Sequence, residues 1–140
     1  MQTRNVKVKL RDGEMGAYLA IPDGKPVGAI IAIMEIWGVN DTMRHHAHEF
    51  AEAGFVCLVP DLFWRQQPGV ELSDKNPEDV KKAFDLYYDF DYDLAVRDMP
   101  KLFFGPATTF QLKSFIKPMA GVMRTSNPPP NWPTALVSLP

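Results

Sequence analysis

The stretch Ala29-Ile30-Ile31-Ala32-Ile33-Met34-Glu35-Ile36-Trp37-Gly38-Val39-Asn40 decides the fold of this chain. An unbroken apolar run ends in a carboxylate, and a turn containing Gly38 and a helix start at Asn40 follow. This order predicts a buried parallel strand with Glu35 at its carboxyl end, where open α/β sheets bind ligands. A charged side chain is costly there unless it is paired or lines a cleft. Glu35 is therefore either a structural carboxylate tied to nearby backbone or a member of a site.

The segments on either side of this strand complete an α/β pattern. Before it, Val6-Lys7-Val8-Lys9-Leu10 alternates apolar and charged residues, and residues 15–21 return after a turn, which predicts a hairpin. The buried strand is expected over residues 27–34, and a second apolar strand over residues 55–60. With a helix between them, these strands form a βαβ unit of roughly 30 residues with a right-handed crossover.

Three helices are predicted. The first runs from Asn40 or Asp41 to about Ala53, with Ala47, Phe50 and Ala53 on its inner face. In the second, Asn76 is the capping residue, Pro77 takes the first helical position, and the helix ends near Tyr88. The third covers residues 91–102, and Pro100 is expected to break it near its end.

The last part of the chain has a different composition. Beyond residue 102 the periodicity is lost, and six prolines fall within residues 118–140. We therefore expect a folded part over residues 1–102 and a divergent, poorly ordered, proline-rich tail over residues 103–140.

Composition limits the classes of function. The chain has 140 residues, of which 46% are hydrophobic, so it is expected to form one folded domain. A formal net charge of −2 favours neither nucleic acid nor an anionic membrane as a partner. We find no apolar run of about 20 residues, so no transmembrane helix is expected. A single cysteine excludes an intrachain disulfide framework, and the cytoplasm is the expected compartment.

Cys57 and a group of histidines are the weaker candidates for chemistry. Cys57 lies inside an apolar strand without a Gly-x-Cys-x-Gly turn, so we interpret it as a packing residue. His45, His46 and His48 lie near Glu49 at helical spacing, and His45 and His48 are expected to share a face. The His-Glu-x-x-His order is absent, so a solvated helix face is favoured over a metal site.

Polar and aromatic residues also follow the two strands. Asp61 comes directly after Pro60, and it is expected to cap or orient the next loop rather than to act in chemistry. Trp37, Phe63 and Trp64 lie on the loops above the strands. They either line a ligand cleft or cover the open top of the sheet, and the sequence favours neither.

Two motifs resemble the dienelactone hydrolase family. They are Met34-Glu35-Ile36-Trp37-Gly38-Val39-Asn40 and Pro60-Asp61-Leu62-Phe63-Trp64-Arg65-Gln66-Gln67-Pro68-Gly69, and their spacing also fits. The resemblance covers roughly residues 3–100. It implies an α/β-hydrolase fold and hydrolysis of a cyclic enol-lactone or ester by a cysteine nucleophile with histidine and aspartate partners, without a cofactor.

The resemblance also implies roles for individual residues. The glutamate that matches Glu35 contacts the resting cysteine and helps to control its ionisation, and the backbone N–H that matches Ile36 helps to form the oxyanion hole. Trp37 is a candidate for substrate binding. A family arginine that contacts the substrate carboxylate aligns near Val80, where Lys81 or Lys82 are the candidate substitutes. No role is carried onto Arg65.

One departure from the family pattern limits the prediction. The nucleophile turn, Gly-x-Cys-x-Gly-Gly, should follow the helix that ends near Leu102, but the chain has Phe103-Phe104-Gly105-Pro106 there. The family's aspartate and histidine have no counterparts either. We therefore expect a sheet that lacks its later strands, in a member truncated before its nucleophile and inactive as this chain. The alternative is a non-enzymatic binding fragment that pairs its open sheet edge with another chain, including a second copy of itself.

Overall fold

The computed structural model describes residues 1–104, except for the side chains of Phe103 and Phe104. This part of the chain contains four strands and three helices. Their bounds, in chain order, are β1 (Gln2–Lys9), β2 (Glu14–Ile21), β3 (Gly28–Ile31), α1 (Asp41–Glu52), β4 (Phe55–Pro60), α2 (Pro77–Tyr88) and α3 (Tyr92–Phe104).

The strands form one mixed sheet in the order β1-β2-β4-β3. Strands β1 and β2 pair antiparallel as a hairpin, and β2 also pairs antiparallel with β4. Strand β3 runs parallel to β4, and α1 connects them. The predicted hairpin and βαβ unit are thus confirmed, and the described fold is α/β with helices on the sheet.

Hydrophobic residues pack on both faces of the sheet. On one face, Cys57 and Val59 of β4 meet α1 and α2. On the other face, Val56 and Leu58 meet Leu102 of α3. The predicted inner face of α1 is confirmed at Ala47 but wrong at Phe50 and Ala53, which are exposed. The buried residues of α1 are Met43, Ala47 and Ala51, at spacings of four rather than three.

Strand β3 is shorter and more exposed than predicted. It ends at Ile31 instead of Met34, and its four residues are all half-buried. Its pairing with β4 continues only to the Ala32 N–H, which donates to the Leu58 carbonyl at 2.9 Å. The apolar run predicted a strand covered on both sides, whereas β3 lies at the edge of the sheet that residues 1–104 form.

Helix α3 continues past Pro100 to Phe104, so the expected break does not occur. Leu102, two residues beyond the proline, is fully buried against the sheet, and this packing compensates for the missing N–H donor. Phe103 and Phe104 are therefore helical, although the tail was expected to begin at residue 103. The rest of the predicted tail, residues 105–140, lies outside the described residues.

Candidate active site

The turn that follows β3, residues 35–38, is the centre of the candidate site. The Gly38 N–H donates to the Glu35 carbonyl at 3.2 Å, and the Leu72 N–H donates to the Trp37 carbonyl at 2.9 Å. Gly38 has a φ of +81°, and a Cβ there would lie 1.9 Å from the Val70 carbonyl oxygen. The turn is therefore fixed against residues 70–72, and it requires glycine at this position.

Two polar groups of this turn, the Glu35 carboxylate and the Ile36 N–H, have no hydrogen-bond partner within residues 1–104. The Glu35 side chain is exposed. Within residues 1–104, no donor reaches the Glu35 carboxylate, and the Ile36 N–H reaches no acceptor. One alternative was that the N–H groups of this turn hold the Glu35 carboxylate. The Gly38 N–H does not do so, because it donates to the backbone carbonyl of Glu35 instead.

The three proposed substrate-binding residues lie in different environments. Trp37 is half-buried and packs against the hydrophobic cluster between the sheet and helices α1 and α2. Lys81 is exposed on α2 and donates to Asp85 at 2.6 Å, whereas Lys82 is half-buried. In the part of the chain that the structure describes, no ion pair joins either lysine to Glu35.

Asp61, directly after β4, is buried and serves the backbone. One carboxylate oxygen accepts from the Phe63 N–H at 3.2 Å, and the other accepts from the Gly69 N–H at 2.7 Å. Burial raises the pKa of this carboxyl group, and these two hydrogen bonds oppose the shift. Asp61 therefore closes the loop of residues 61–69, in line with the structural role expected from the sequence.

The three aromatic residues above the strands do not line one cleft. Phe63 is buried in the same cluster that Trp37 contacts. Trp64 packs on the opposite face of the sheet, and the Arg65 guanidinium lies 4.2 Å from the centre of its ring. These rings cover the core on two sides of the sheet.

Arg65 forms a second polar cluster with Asp12 and Asp98, which the sequence analysis did not predict. It donates to Asp98 at 2.7 Å and to the two oxygens of Asp12 at 2.8 and 2.9 Å. The Arg65 guanidinium lowers the pKa of Asp12 through these hydrogen bonds. A cavity of about 130 Å³ lies beside the cluster, lined mainly by apolar side chains such as Leu62 and Leu94. Asp12 and Arg65 lie far apart in sequence, so no local pattern predicts their contact.

Cys57 is fully buried, and burial raises the pKa of its thiol to about 11. A thiol with this pKa is almost entirely protonated at neutral pH, and the thiolate is the nucleophilic form. Its place in the core agrees with its interpretation as a packing residue.

The histidines of α1 contact different residues. His48 shares a 2.6 Å hydrogen bond with the Tyr18 hydroxyl, whereas His46 contacts Glu49 at 3.0 Å and His45 contacts it at 3.7 Å. His45 and His48 thus have separate contacts. Residues 1–104 contain no group of three or more side chains placed to hold a metal ion.

A sheet with a parallel βαβ unit and helices on both faces defines an α/β protein, and free polar groups lie beyond the end of β3. The chain belongs to the dienelactone hydrolase family, whose family model matches residues 15–101. The match includes the turn of residues 35–38 and the loop of residues 61–69.

Individual relatives agree with this assignment. The chain is 45% identical over 83 residues to a protein from Azospirillum brasilense named "Putative carboxymethylenebutenolidase", covering 59% of this chain and 36% of the relative. It is 34% identical over 100 residues to carboxymethylenebutenolidase 1 from Cupriavidus pinatubonensis, covering 71% of this chain and 43% of the relative. The chain therefore spans about two fifths of the length of these relatives.

A solved structure supports the fold. The crystal structure of the "Putative Dienelactone Hydrolase" from Klebsiella pneumoniae superimposes with a TM-score of 0.60 at 23% identity, covering 72% of this chain and 41% of that chain. Among the described helices, none has the length and apolar character needed to cross a bilayer.

Proposed function

We propose that this chain supplies the amino-terminal half of a dienelactone hydrolase-type site. In this site the Ile36 N–H stabilises the oxyanion, and Glu35 controls the ionisation of a cysteine nucleophile. The observation that carries the proposal is the turn after β3, where both groups are free of partners within residues 1–104 and the backbone is fixed by Gly38. The family-level substrate is a small lactone or ester, and this cysteine chemistry requires no cofactor.

The chemistry assigned to each group follows from its charge. When a thiolate attacks an ester carbonyl, negative charge develops on the carbonyl oxygen, and a fixed N–H donor stabilises it. The Ile36 N–H is free to donate to this oxygen. An anionic carboxylate beside a thiol disfavours the thiolate, so Glu35 would keep a resting cysteine protonated until substrate arrives.

We further propose that this chain has no hydrolase activity by itself. The residues that match the family contain one cysteine, Cys57, and it is buried with a raised pKa. The three histidines all lie on α1. Without a nucleophile, an oxyanion donor and a carboxylate do not form an acyl-enzyme.

Trp37, Lys81 and Lys82 are proposed as substrate contacts. A lysine near position 80 would take the place of the family arginine on a substrate carboxylate, and the half-buried Lys82 is better placed for a fixed contact than the exposed Lys81. The proposed functional unit is residues 1–102, and the proposed compartment is the cytoplasm.

The activity proposal is tested with the purified 140-residue chain and its Cys57→Ala variant. Turnover of a dienelactone and of an aryl ester is measured for both proteins. We expect rates equal to the buffer background for both. Activity that survives purification and is lost in Cys57→Ala would contradict the proposal and assign the nucleophile to Cys57.

An interaction through the edge of the sheet is the second candidate function. Strand β3 pairs with β4 on one side, and no strand among residues 1–104 covers its other side. Val27 and Ile33, at its two ends, are 65% and 54% exposed. Unpaired backbone next to exposed apolar side chains is suited to pairing with a strand of another chain, including a second copy.

Self-association through this edge is tested by sedimentation of wild type, Ile33→Lys and Val96→Lys over a range of concentrations. Val96 is 69% exposed on α3 and serves as the matched control. If the β3 edge pairs with a second copy, Ile33→Lys reduces the dimer fraction and Val96→Lys leaves it unchanged. Equal behaviour of the three proteins would exclude self-pairing through this edge.

A further inference from the structure

A continuous string of exposed aromatic rings lies where α2 ends and α3 begins. Phe84 and Tyr88 stack with their ring centres 6.1 Å apart, and Tyr87 lies 5.6 Å from Tyr88 and 6.2 Å from Tyr92. We call Phe84, Tyr87, Tyr88 and Tyr92 the tyrosine surface. Tyr88 is 77% exposed and Tyr92 is 54% exposed. Rings that contact one another while facing solvent form an apolar patch of the kind that marks a binding surface.

Acidic side chains surround the tyrosine surface. They are Asp85, Asp89, Asp91 and Asp93, and all four are exposed. Asp85 pairs with Lys81, and Asp91 accepts from the Leu94 N–H at the start of α3. Asp89 and Asp93 have no such partner within residues 1–104. The surface therefore combines apolar rings, tyrosine hydroxyl groups and excess negative charge.

This combination suits a proline-rich segment with basic neighbours. Aromatic-lined surfaces bind polyproline helices because proline rings pack on the aromatic faces and the ordering cost of the ligand is small. The backbone of such a helix makes no internal hydrogen bonds, so its carbonyls accept from tyrosine hydroxyl groups.

The chain itself contains such a segment. We propose that Asn127-Pro128-Pro129-Pro130-Asn131-Trp132-Pro133 docks on the tyrosine surface of the same molecule. Charge supports this assignment: Lys113, Lys117 and Arg124 lie in residues 105–140 together with no acidic residue, so all 17 acidic residues fall within residues 1–104. The docking does not depend on the hydrolase site proposed above.

The length of the chain permits this contact. Helix α3 has 13 residues, so its two ends lie about 18 Å apart at about 1.5 Å per residue. Tyr92 is the first residue of α3, and residue 105 directly follows its last residue. Residues 105–126 number 22, and a chain of this many residues reaches up to about 75 Å. A connection of this length spans the distance and holds the segment at a high effective concentration near the surface.

The test is an amide and side-chain NMR comparison of full-length variants at constant chain length. Pro128, Pro129 and Pro130 are replaced together by serine, and the matched control replaces Pro106 and Pro118 by serine. We expect the triple substitution to shift the resonances of the tyrosine surface and to leave those of β4 unchanged. The control should leave both sets unchanged.

A reciprocal variant, Tyr88→Ala with Tyr92→Ala, is followed at the Trp132 indole N–H, with Val96→Ala as the control. The indole resonance should move to its position in the triple proline variant. Tyrosine-surface resonances that are identical in wild type and the triple proline variant would overturn the proposal. Shifts that grow with protein concentration, together with a lower diffusion coefficient, would also overturn it, because a second copy would then cover the surface.

Discussion

Two carboxylates follow the two parallel strands of this sheet, and their environments are opposite. Glu35 comes after β3, is exposed and receives no hydrogen bond from residues 1–104. Asp61 comes after β4, is buried and accepts from the N–H groups of Phe63 and Gly69. The sequence patterns are similar: an apolar strand, an acid and an aromatic residue two positions later, with a glycine at Gly38 in one place and at Gly69 in the other.

The difference comes from the position of each strand in the sheet. Strand β4 lies between β2 and β3, so the loop after it is packed on both sides and its carboxylate is used to close that loop. Strand β3 lies at the edge of the described sheet, so the turn after it has polar groups without partners. A buried polar group must be satisfied locally, whereas an exposed one is free for chemistry. This contrast places Asp61 in the scaffold and supports the proposal that Glu35 belongs to the site.

The largest expected effect compares glycines of the two regions. Gly38→Ala places a Cβ 1.9 Å from the Val70 carbonyl oxygen at a φ of +81°. Gly69 has a φ of +73°, but nothing lies within 4 Å of its added Cβ. We expect Gly38→Ala to lower the free energy of unfolding by about 3 kcal/mol or more, and Gly69→Ala to lower it by about 1–2 kcal/mol.

Urea unfolding of the two alanine variants measures this difference, and Gly69→Ala controls for the cost of the left-handed backbone. Equal losses would mean that the turn of residues 35–38 moves away from Val70 without penalty. The Ile36 N–H, which we propose as an oxyanion donor, would then not be held in place.

The next effect in size is the loss of the Asp61 carboxylate. Asp61→Asn keeps the shape of the side chain but leaves it only one acceptor oxygen. The N–H of either Phe63 or Gly69 then faces the amide NH₂ group, which is itself a donor. We expect a loss of about 1–3 kcal/mol in the free energy of unfolding. A variant as stable as wild type would place Asp61 among the functional residues instead.

The pH dependence of this variant sharpens the assignment. Burial raises the pKa of Asp61 in the folded protein. Between the unfolded value of about 3.9 and the raised folded pKa, the folded state binds more protons, so the contribution of Asp61 to stability falls as pH rises. We therefore expect the stability advantage of wild type over Asp61→Asn to be largest near pH 4 and to decrease towards neutral pH. An advantage that grows with pH would show that the two N–H donors outweigh burial.

The sequence was sufficient for the main elements because their signals are local. Asn40 and Asn76 begin helices as their capping chemistry predicts, with side chains that accept from Met43 and Glu78. The alternation of residues 6–10 and the apolar run of β4 identified the strands. The family motifs also lie in continuous segments, so they were recognised without the fold.

The parts that were predicted wrongly or not predicted at all depend on contacts between distant segments. The length of β3 and the exposure of Glu35 depend on which strands flank them, and an apolar run contains no such information. The bridge from Arg65 to Asp12 and Asp98 joins residues on three separate elements. The continuation of α3 past Pro100 depends on the burial of Leu102, which local helix signals do not include.

The smallest expected effect belongs to Glu35, and it tests the central contrast most directly. The measurement is urea unfolding of wild type and Glu35→Gln at neutral pH, beside Asp61→Asn under the same conditions. Because no donor within residues 1–104 contacts the Glu35 carboxylate, we expect the free energy of unfolding to change by less than about 0.5 kcal/mol or to rise. A loss of about 1–3 kcal/mol, equal to that of Asp61→Asn, would show that both carboxylates belong to the scaffold and would contradict the proposal that Glu35 belongs to a catalytic site.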